Sequence, residues 1–502
     1  MITRRLGIVC FAFVSCAAAM CGAAEPIHIG SRPEPMVDDY LIDTMTGARL
    51  TLHQPVFREV VIRHDAPWEG SVSTGHTIFQ DGPLYRMYYR GARYSPEAFD
   101  ITKLDAKYFS GYLCYAESDD GIHWRRPELG LVEFEGSKKN NILWSPKDST
   151  RLWNLPESVA QRTWTDAMSI NCSVFKDTNP DCASDARYKM LGGYGSCAFK
   201  SADGIHFTAM SPEPVIPITL ANHFDSQTTV FWDSVGKRYL SFHRATRNKL
   251  RDTVMNTSTD FLHWSDPVFL EYTGAPVEEL YTNQIAPYFR APQILIGFPK
   301  RYTERRKAVD LDKFEWEAVS DGVLMTSRDG MHFHRWGEAF LRPGLQPERW
   351  VNRNNYISNG IVVTRSDVPG APDELSIYST EGYWSPACRL RRHTIRMDGF
   401  VSVQAPLAGG EFCTRPIVFE GKKLVMNYST SAAGSVSVEL QTADGKPMEG
   451  FALADCGEIY GDQIERVVAW KGNADVGKLA GTPVRVRFVL KDADLYSIQF
   501  LP

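Results

Sequence analysis

Five carboxylates, Glu69, Asp166, Asp225, Glu279 and Glu381, recur at comparable points of a repeated pattern in this 502-residue chain. Two carboxyls about 5–10 Å apart can work as a pair on an acetal bond, one giving a proton and the other attacking or activating water. The proton donor needs a raised pKa, which burial or a neighbouring like charge supplies. Arg90, His243 and Arg244 suit hydroxyl or carboxylate recognition, and Trp68 or Tyr281 can stack on a sugar face. His76, His223 and Asn354 occupy matching positions. Each residue also has a plainer reading: the acids as loop caps or surface ion pairs, the cations as pairs between sheets, the aromatics as packing. Asp225 is the leading candidate, because it follows His223 and opens the run FDSQ at a strand start.

What must position these groups is a repeat. SDDGIHW, SADGIHF, STDFLHW, SRDGMHF and a looser RMDGF carry Asp120, Asp203, Asp260, Asp329 and Asp398, each after one strand-like run and before another. The steps of 83, 57, 69 and 69 residues are those of a small β unit used five times, the sign of a β-propeller. Asp and Ser hold such turns through nearby backbone groups. An acid that recurs once per unit is structural, since a working acid or base would occur once. Phe261 stands where the four other copies have Gly, so the third turn is expected to differ in detail.

Each unit divides into four strands, A to D, as in GHTIFQ, LYRMYYR, GYLCYAE and IHWRRP of the first. The Asp turns join C to D. Chemistry therefore belongs on the opposite face, just before each A strand and just after each B strand. The five carboxylates and their companions stand at those points. In the fifth unit GFVSVQ is expected to be strand D. VDDYLID and ARLTLHQP, before the first unit, read as strands, one of which can close the ring.

Residues 1–24 form an expected signal peptide: Arg4 and Arg5, an apolar stretch, and Gly22-Ala23-Ala24 before Glu25. Lipid attachment through Cys16 is the weaker alternative. Removing the segment takes away two arginines and no acids, so the formal charge goes from −5 to −7. A chain this acidic does not hold nucleic acid by bulk electrostatics, and no other segment is apolar enough to span a membrane. The seven remaining cysteines lack metal-ligand spacing. Cys172 and Cys182 can pair across a hairpin, or all seven can be buried thiols. Zinc-protease, serine-hydrolase and phosphate-loop signatures are missing. No cofactor is called for, although a structural cation at the axis is compatible with the pattern.

The expected organisation is all-β: a signal peptide at 1–24, N-terminal strands at 25–59, a five-bladed propeller at 60–405 and a β-sandwich at 406–502. Through PWEG, FDSQ, ELSIYSTEGYW, RLRRHTIRMDGFVSV and LVMNYSTSAAGSVSVEL, roughly residues 34–502 resemble exported invertase/levanase-like and arabinanase-like propeller glycoside hydrolases. The resemblance implies a carbohydrate substrate and an extracytoplasmic location. The chain lacks the Trp-x-Asn-Asp-Pro-Asn, Arg-Asp-Pro and Glu-Cys motifs that carry catalysis in the better known members, so no catalytic residue transfers motif by motif. A non-catalytic glycan-binding propeller, or a phosphorolytic enzyme using Arg90, Arg244 and Arg301 on phosphate, are the alternatives.

Overall fold

The computed structural model describes residues 25–93, 111–145, 172–193, 196–216, 226–306 and 317–502. Strands dominate them, and the helices are single 3-10 turns. Five sheets carry the repeat. The first runs through Thr74–Asp81, Leu84–Gly91, Tyr112–Ser118 and Trp124–Arg125. The second uses Ser173–Lys176, Tyr188–Gly192, Cys197–Ser201 and Thr208–Ala209, and the third Thr229–Asp233, Arg238–Arg247, Leu250–Ser258 and Val268–Phe269. The fourth has Ala286–Tyr288, Ala291–Gly297, Met325–Ser327 and His332–Arg335; a companion sheet of Glu279–Leu280, Lys300–Glu304 and Ala318–Gly322 extends beside it. The fifth has Tyr356–Ile357 and Val362–Thr364 as its A strand in two pieces, Glu374–Glu381 as B and Arg389–Ile395 as C. Consecutive strands pair antiparallel, as short hairpin connections require.

Every neighbouring pair of sheets shares an apolar core. Tyr88 and Tyr115 of the first meet Met190 and Phe199 of the second. Leu191 and Ala198 meet Val230 and Tyr239 of the third, whose Phe242 and Met255 meet Leu295 and Met325 of the fourth. Ile294 and Leu324 then meet Leu375 and Ile377 of the fifth. The fifth returns to the first through Tyr378 and Leu390 against Ile78 and Met87. Tyr188–Gly192 and Arg238–Arg247 are buried along nearly their whole length, polar residues included, which is why alternation is weak in the sequence. The inner strands close too: the Ile78 amide donates to the Asn359 carbonyl at 2.8 Å, and the Asn359 amide to that of His76 at 2.9 Å. The fold is a β-propeller.

The ring is sealed otherwise than expected. The outer strand of the fifth sheet is Val56–Arg63, paired antiparallel with Arg389–Ile395; neither VDDYLID nor ARLTLHQP supplies it. GFVSVQ is not strand D either, because Val401–Ala405 pairs with Arg49–Leu52 and with the last strand, Val484–Leu501. Ile42–Thr46 and Ile27–Gly30 likewise join the C-terminal strands. These form one ten-stranded hydrogen-bonded sheet around its own apolar core. Its two longest strands, Lys423–Thr442 and Val484–Leu501, share a register break between Thr430 and Ser435, the kind of irregularity that bends a strand.

The Asp turns do the structural work assigned to them. In the first, Asp120 Oδ1 accepts from the amides of Ile122 and His123, Ser118 Oγ accepts from Gly121, and Asp120 Oδ2 pairs with His123 Nδ1 at 2.7 Å. Asp203, Asp260 and Asp329 repeat the set. The third turn does not differ as expected: Phe261 takes a φ of 71° and donates its amide to Ser258 Oγ as the glycines do. Its fully buried ring packs on Phe175, Tyr239 and Trp264, which offsets the backbone strain. The fifth Asp is different in kind. Asp398 is buried and accepts from Tyr288 Oη at 2.5 Å, Arg290 at 3.0 Å and Ser497 Oγ at 2.7 Å, tying the propeller to the C-terminal sheet.

The seven cysteines of the described residues are all free thiols, so Cys172 and Cys182 are not paired. Cys172 is buried among the aromatics of the first two sheets, and Cys182 donates to the Ala186 carbonyl. Among the described residues no helix is long and apolar enough to cross a membrane.

Candidate functional site

On the face away from the Asp turns, four of the five repeated sheets send residues into one small axial pocket. Thr74 and Gly75 enter at the first A strand, Arg90 at the end of the first B strand, and Ser226 and Gln227 before the third A strand. Tyr281 and Thr282 precede the fourth A strand and Lys300 follows the fourth B strand; Arg353 and Tyr356 open the fifth sheet and Tyr383 follows its B strand. These are the A-start and B-end positions singled out by strand direction.

The floor is an amide network. The Gln227 amide nitrogen donates to the Gly75 carbonyl at 3.1 Å and to Thr77 Oγ1 at 2.8 Å. Its carbonyl accepts from Gln284 Nε2 at 2.9 Å and Tyr356 Oη at 2.8 Å. Below lies a larger cavity of about 490 Å³ that opens toward the far mouth. Its lining is mainly apolar, including Ile78, Phe79, Val230, Phe231, Pro287, Phe289 and Phe298. Convergent polar and charged groups mark the smaller pocket instead, and those are what orient a ligand.

Cations and aromatic rings interleave in the small pocket. Arg353 donates to Tyr281 Oη and to Tyr383 Oη, both at 3.1 Å. Lys300 Nζ lies 3.9 Å from the centre of the Tyr281 ring and 5.1 Å from that of Tyr356, and the Arg244 guanidinium lies 4.4 Å from the Tyr281 ring centre. Burial pushes the Tyr281 phenol up, but Arg353, Arg244 and Arg251 outweigh it and bring the pKa down to about 8. Burial, then Arg353, Arg244 and Arg251, push the Lys300 ammonium well below its ordinary value. The backbone is unusual here as well: Arg353, Asn355, Trp384 and Gln284 all have positive φ, at 70°, 57°, 73° and 50°. A bulky residue such as Trp384 takes that conformation at a cost, and such outliers gather at functional sites.

Tyr281 gives a direct check. Folded, its pKa lies below the value near 10 of an unfolded chain, so the folded state holds fewer protons between about 8 and 10, and this group adds stability as pH rises through that window. A phenolate absorbance titration should show one tyrosine ionising near pH 8, and Tyr281→Phe should remove that step alone. A titration with every tyrosine above 9.5 would refute the electrostatics described.

The expected site residues fall into three groups. Arg90 and Tyr281 line the pocket, and Arg244 packs on Tyr281. Asp166, Asp225 and His223 lie outside the described residues; Ser226, which follows Asp225, lines the pocket. The others are placed elsewhere, and the three described carboxylates are not brought together. Glu69 is buried and bound by Arg126 at 2.8 and 3.0 Å and by Tyr89 Oη. Burial raises its pKa, but His64, Arg126 and Tyr89 pull it down to about 2, so Glu69 is poorly suited to hold a proton for general-acid work. Glu279 is gripped by Arg251 with two contacts of 3.1 Å. Glu381 is buried against Arg391 at 2.7 Å, Arg389 at 3.0 Å and Arg349 at 3.4 Å. Trp68 Nε1 donates to Asn141 at 2.8 Å and the ring packs edge-on to Phe134.

The two histidines are buried. His76 lies 3.2 Å from His64 and stacks on Tyr89, and His243 is pushed down to about 3 by burial. Asn354 folds inward, accepting from the Tyr383 amide at 2.9 Å. Arg301 is clamped by Asp321 at 2.6 Å and by Glu278 at 3.3 Å, away from the pocket. Lys300, Arg353, Tyr356, Tyr383, Ser226 and Gln227 were not singled out from sequence, although they obey the same positional rule. Among the described residues no cluster of three or more His, Cys, Asp or Glu is arranged to hold a metal.

No protein-family model matches the chain, and no curated protein matches it. Solved structures overlay it partially. A glycoside hydrolase family 43 arabinoxylan arabinofuranohydrolase from Bacillus subtilis, in complex with cellotetraose, is 11% identical with a TM-score of 0.42, covering 89% of this chain and 99% of its own. An α-L-arabinofuranosidase from Podospora anserina, in complex with cellotriose, is 10% identical with a TM-score of 0.39 over 68% of this chain and 96% of its own. A structure titled for the GH130 family of mannoside phosphorylases, said there to contain hydrolases of β-1,2 mannosidic linkages, is 12% identical with a TM-score of 0.38 over 72% of this chain and 96% of its own. At these scores no role is carried over from them.

Proposed function

We propose that the chain is an exported glycoside hydrolase that takes a polysaccharide or oligosaccharide into the axial pocket. The observation that carries the reading is the convergence on one pocket of Tyr281, Tyr356 and Tyr383 with Arg90, Arg353, Gln227 and Thr74. Ring faces match the apolar faces of sugars, and the polar groups between them match hydroxyls. With Glu69, Glu279 and Glu381 engaged by arginines, the catalytic carboxylate is assigned to Asp225, with Asp166 as its partner. Asp225 immediately precedes Ser226 at the pocket wall. One of the two would protonate the leaving oxygen while the other attacks the anomeric carbon or activates water.

The same arginine pairing favours a second reading, a glycan-binding propeller without catalysis, because it removes three of the five acids from consideration. The mature chain screened against a glycan panel decides between them. Asp225→Asn is expected to keep the fold and glycan binding but to lower the rate by about 10²–10⁴-fold or more. A glycan bound and never cleaved would establish the binding module, and full activity in Asp225→Asn would reject this site.

A further inference from the structure

Lys300 is 1% exposed, yet it lines the axial pocket. The charges that bear on it are those of Arg353, Arg244 and Arg251, all of its own sign. Its ammonium is flanked by ring faces, Tyr281 at 3.9 Å and Tyr356 at 5.1 Å, with no carboxylate among the described residues in ion-pair contact with it. Also in the pocket wall, Ser226 is 3% exposed, and its hydroxyl has no hydrogen-bond partner among the described residues. A buried hydroxyl without a partner costs free energy, and a buried cation among cations costs more. Both costs fall if something negative, able to accept hydrogen bonds, occupies the space between them.

We propose that the axial pocket holds an oxyanion, with Lys300 and Arg353 as its charged donors and the Ser226 hydroxyl as a neutral one. This deepens the proposed function and rests on it for the statement that the bound molecule belongs to glycan chemistry. Two sources share the chemistry: the carboxylate of a uronic acid within the glycan, and free inorganic phosphate. An anion favours the ammonium form of Lys300, so any proton exchanged on binding should be taken up and not released.

The test is calorimetric titration of the mature protein near neutral pH with galacturonic acid, inorganic phosphate and galactose, in buffers of different ionisation heat. At least one anion should bind about tenfold or more tightly than galactose, without net proton release, and Lys300→Met should weaken it about tenfold or more, the scale of a charged hydrogen bond. Galacturonate binding alone assigns the anion to the substrate; phosphate binding alone assigns it to a free ion. If Lys300→Met does not fold, Ser226→Ala should still weaken the anion severalfold, and by more than it weakens galactose. The inference is overturned if neither anion binds more tightly than galactose, or if both variants bind as the wild type does. Cleavage of a neutral glycan without anion binding would reject the oxyanion and leave the hydrolase reading intact. An anion bound by a chain that cleaves no glycan would do the reverse.

Discussion

Glu381→Gln should cost about 3–5 kcal/mol of stability, the range for breaking a buried ion pair by removing one partner. Glu381 is fully buried and touches three guanidinium groups. Of these Arg349 is itself 1% exposed, so it cannot recover its lost partner from water. Burial already pulls Arg349 down to about 10 despite the Glu381 charge. With that charge gone, three like charges face one another. Denaturant unfolding of the variant should show the loss, and a second change, Arg349→Met, should recover part of it, because contacting residues are not additive. An unchanged midpoint together with lost activity would instead return Glu381 to the list of catalytic groups.

A comparable loss is expected from adding one methyl group at Gly360. A Cβ there would lie 1.8 Å from the carbonyl oxygen of Ile78, and the residue has a φ of 109°. The obstructing atom belongs to the backbone, so no side-chain rotation relieves the clash. The place matters because the neighbouring Asn359 carries the hydrogen bonds that join the fifth inner strand to the first. Gly360→Ala should destabilise by roughly 3 kcal/mol or more, combining overpacking with backbone strain. Thermal unfolding measures it, and an unchanged midpoint would show that the seam is looser than described.

The repeat, the all-β class, the structural role of the Asp turns and the face that carries the pocket were legible in the sequence, because each follows from turn chemistry and strand direction. The identity of the pocket residues was less so. Lys300 and Arg301 are adjacent cations after the same B strand, and strand alternation sends them to opposite sides. One reaches the pocket and the other Asp321 and Glu278, and nothing local in the sequence says which. Arg353 and Asn354 pose the same problem, since positive φ on either side of Asn354 redirects the chain. The fifth outer strand was misplaced because RMDGF imitates the turn while lacking its Ser and His. Its Asp398 serves the contact with the C-terminal sheet instead.

The strand Val56–Arg63 also has a consequence for biosynthesis. Arg58 and Arg391, bonded across the closing sheet, are 333 positions apart in the chain, and Ile27–Gly30 waits still longer for Ile417–Phe419. Emerging N-terminus first, the polypeptide makes its closing strand before almost everything that strand will close. Loops this long delay closure, so the early segment stays unpartnered until the final fifth of the chain is out. A product stopped short of residue 389 would have neither its clasp nor the partners of its first four strands. The newborn chain is thus kept from finishing its fold until synthesis is nearly done, which fits the export proposed above, since a polypeptide threads a membrane pore unfolded.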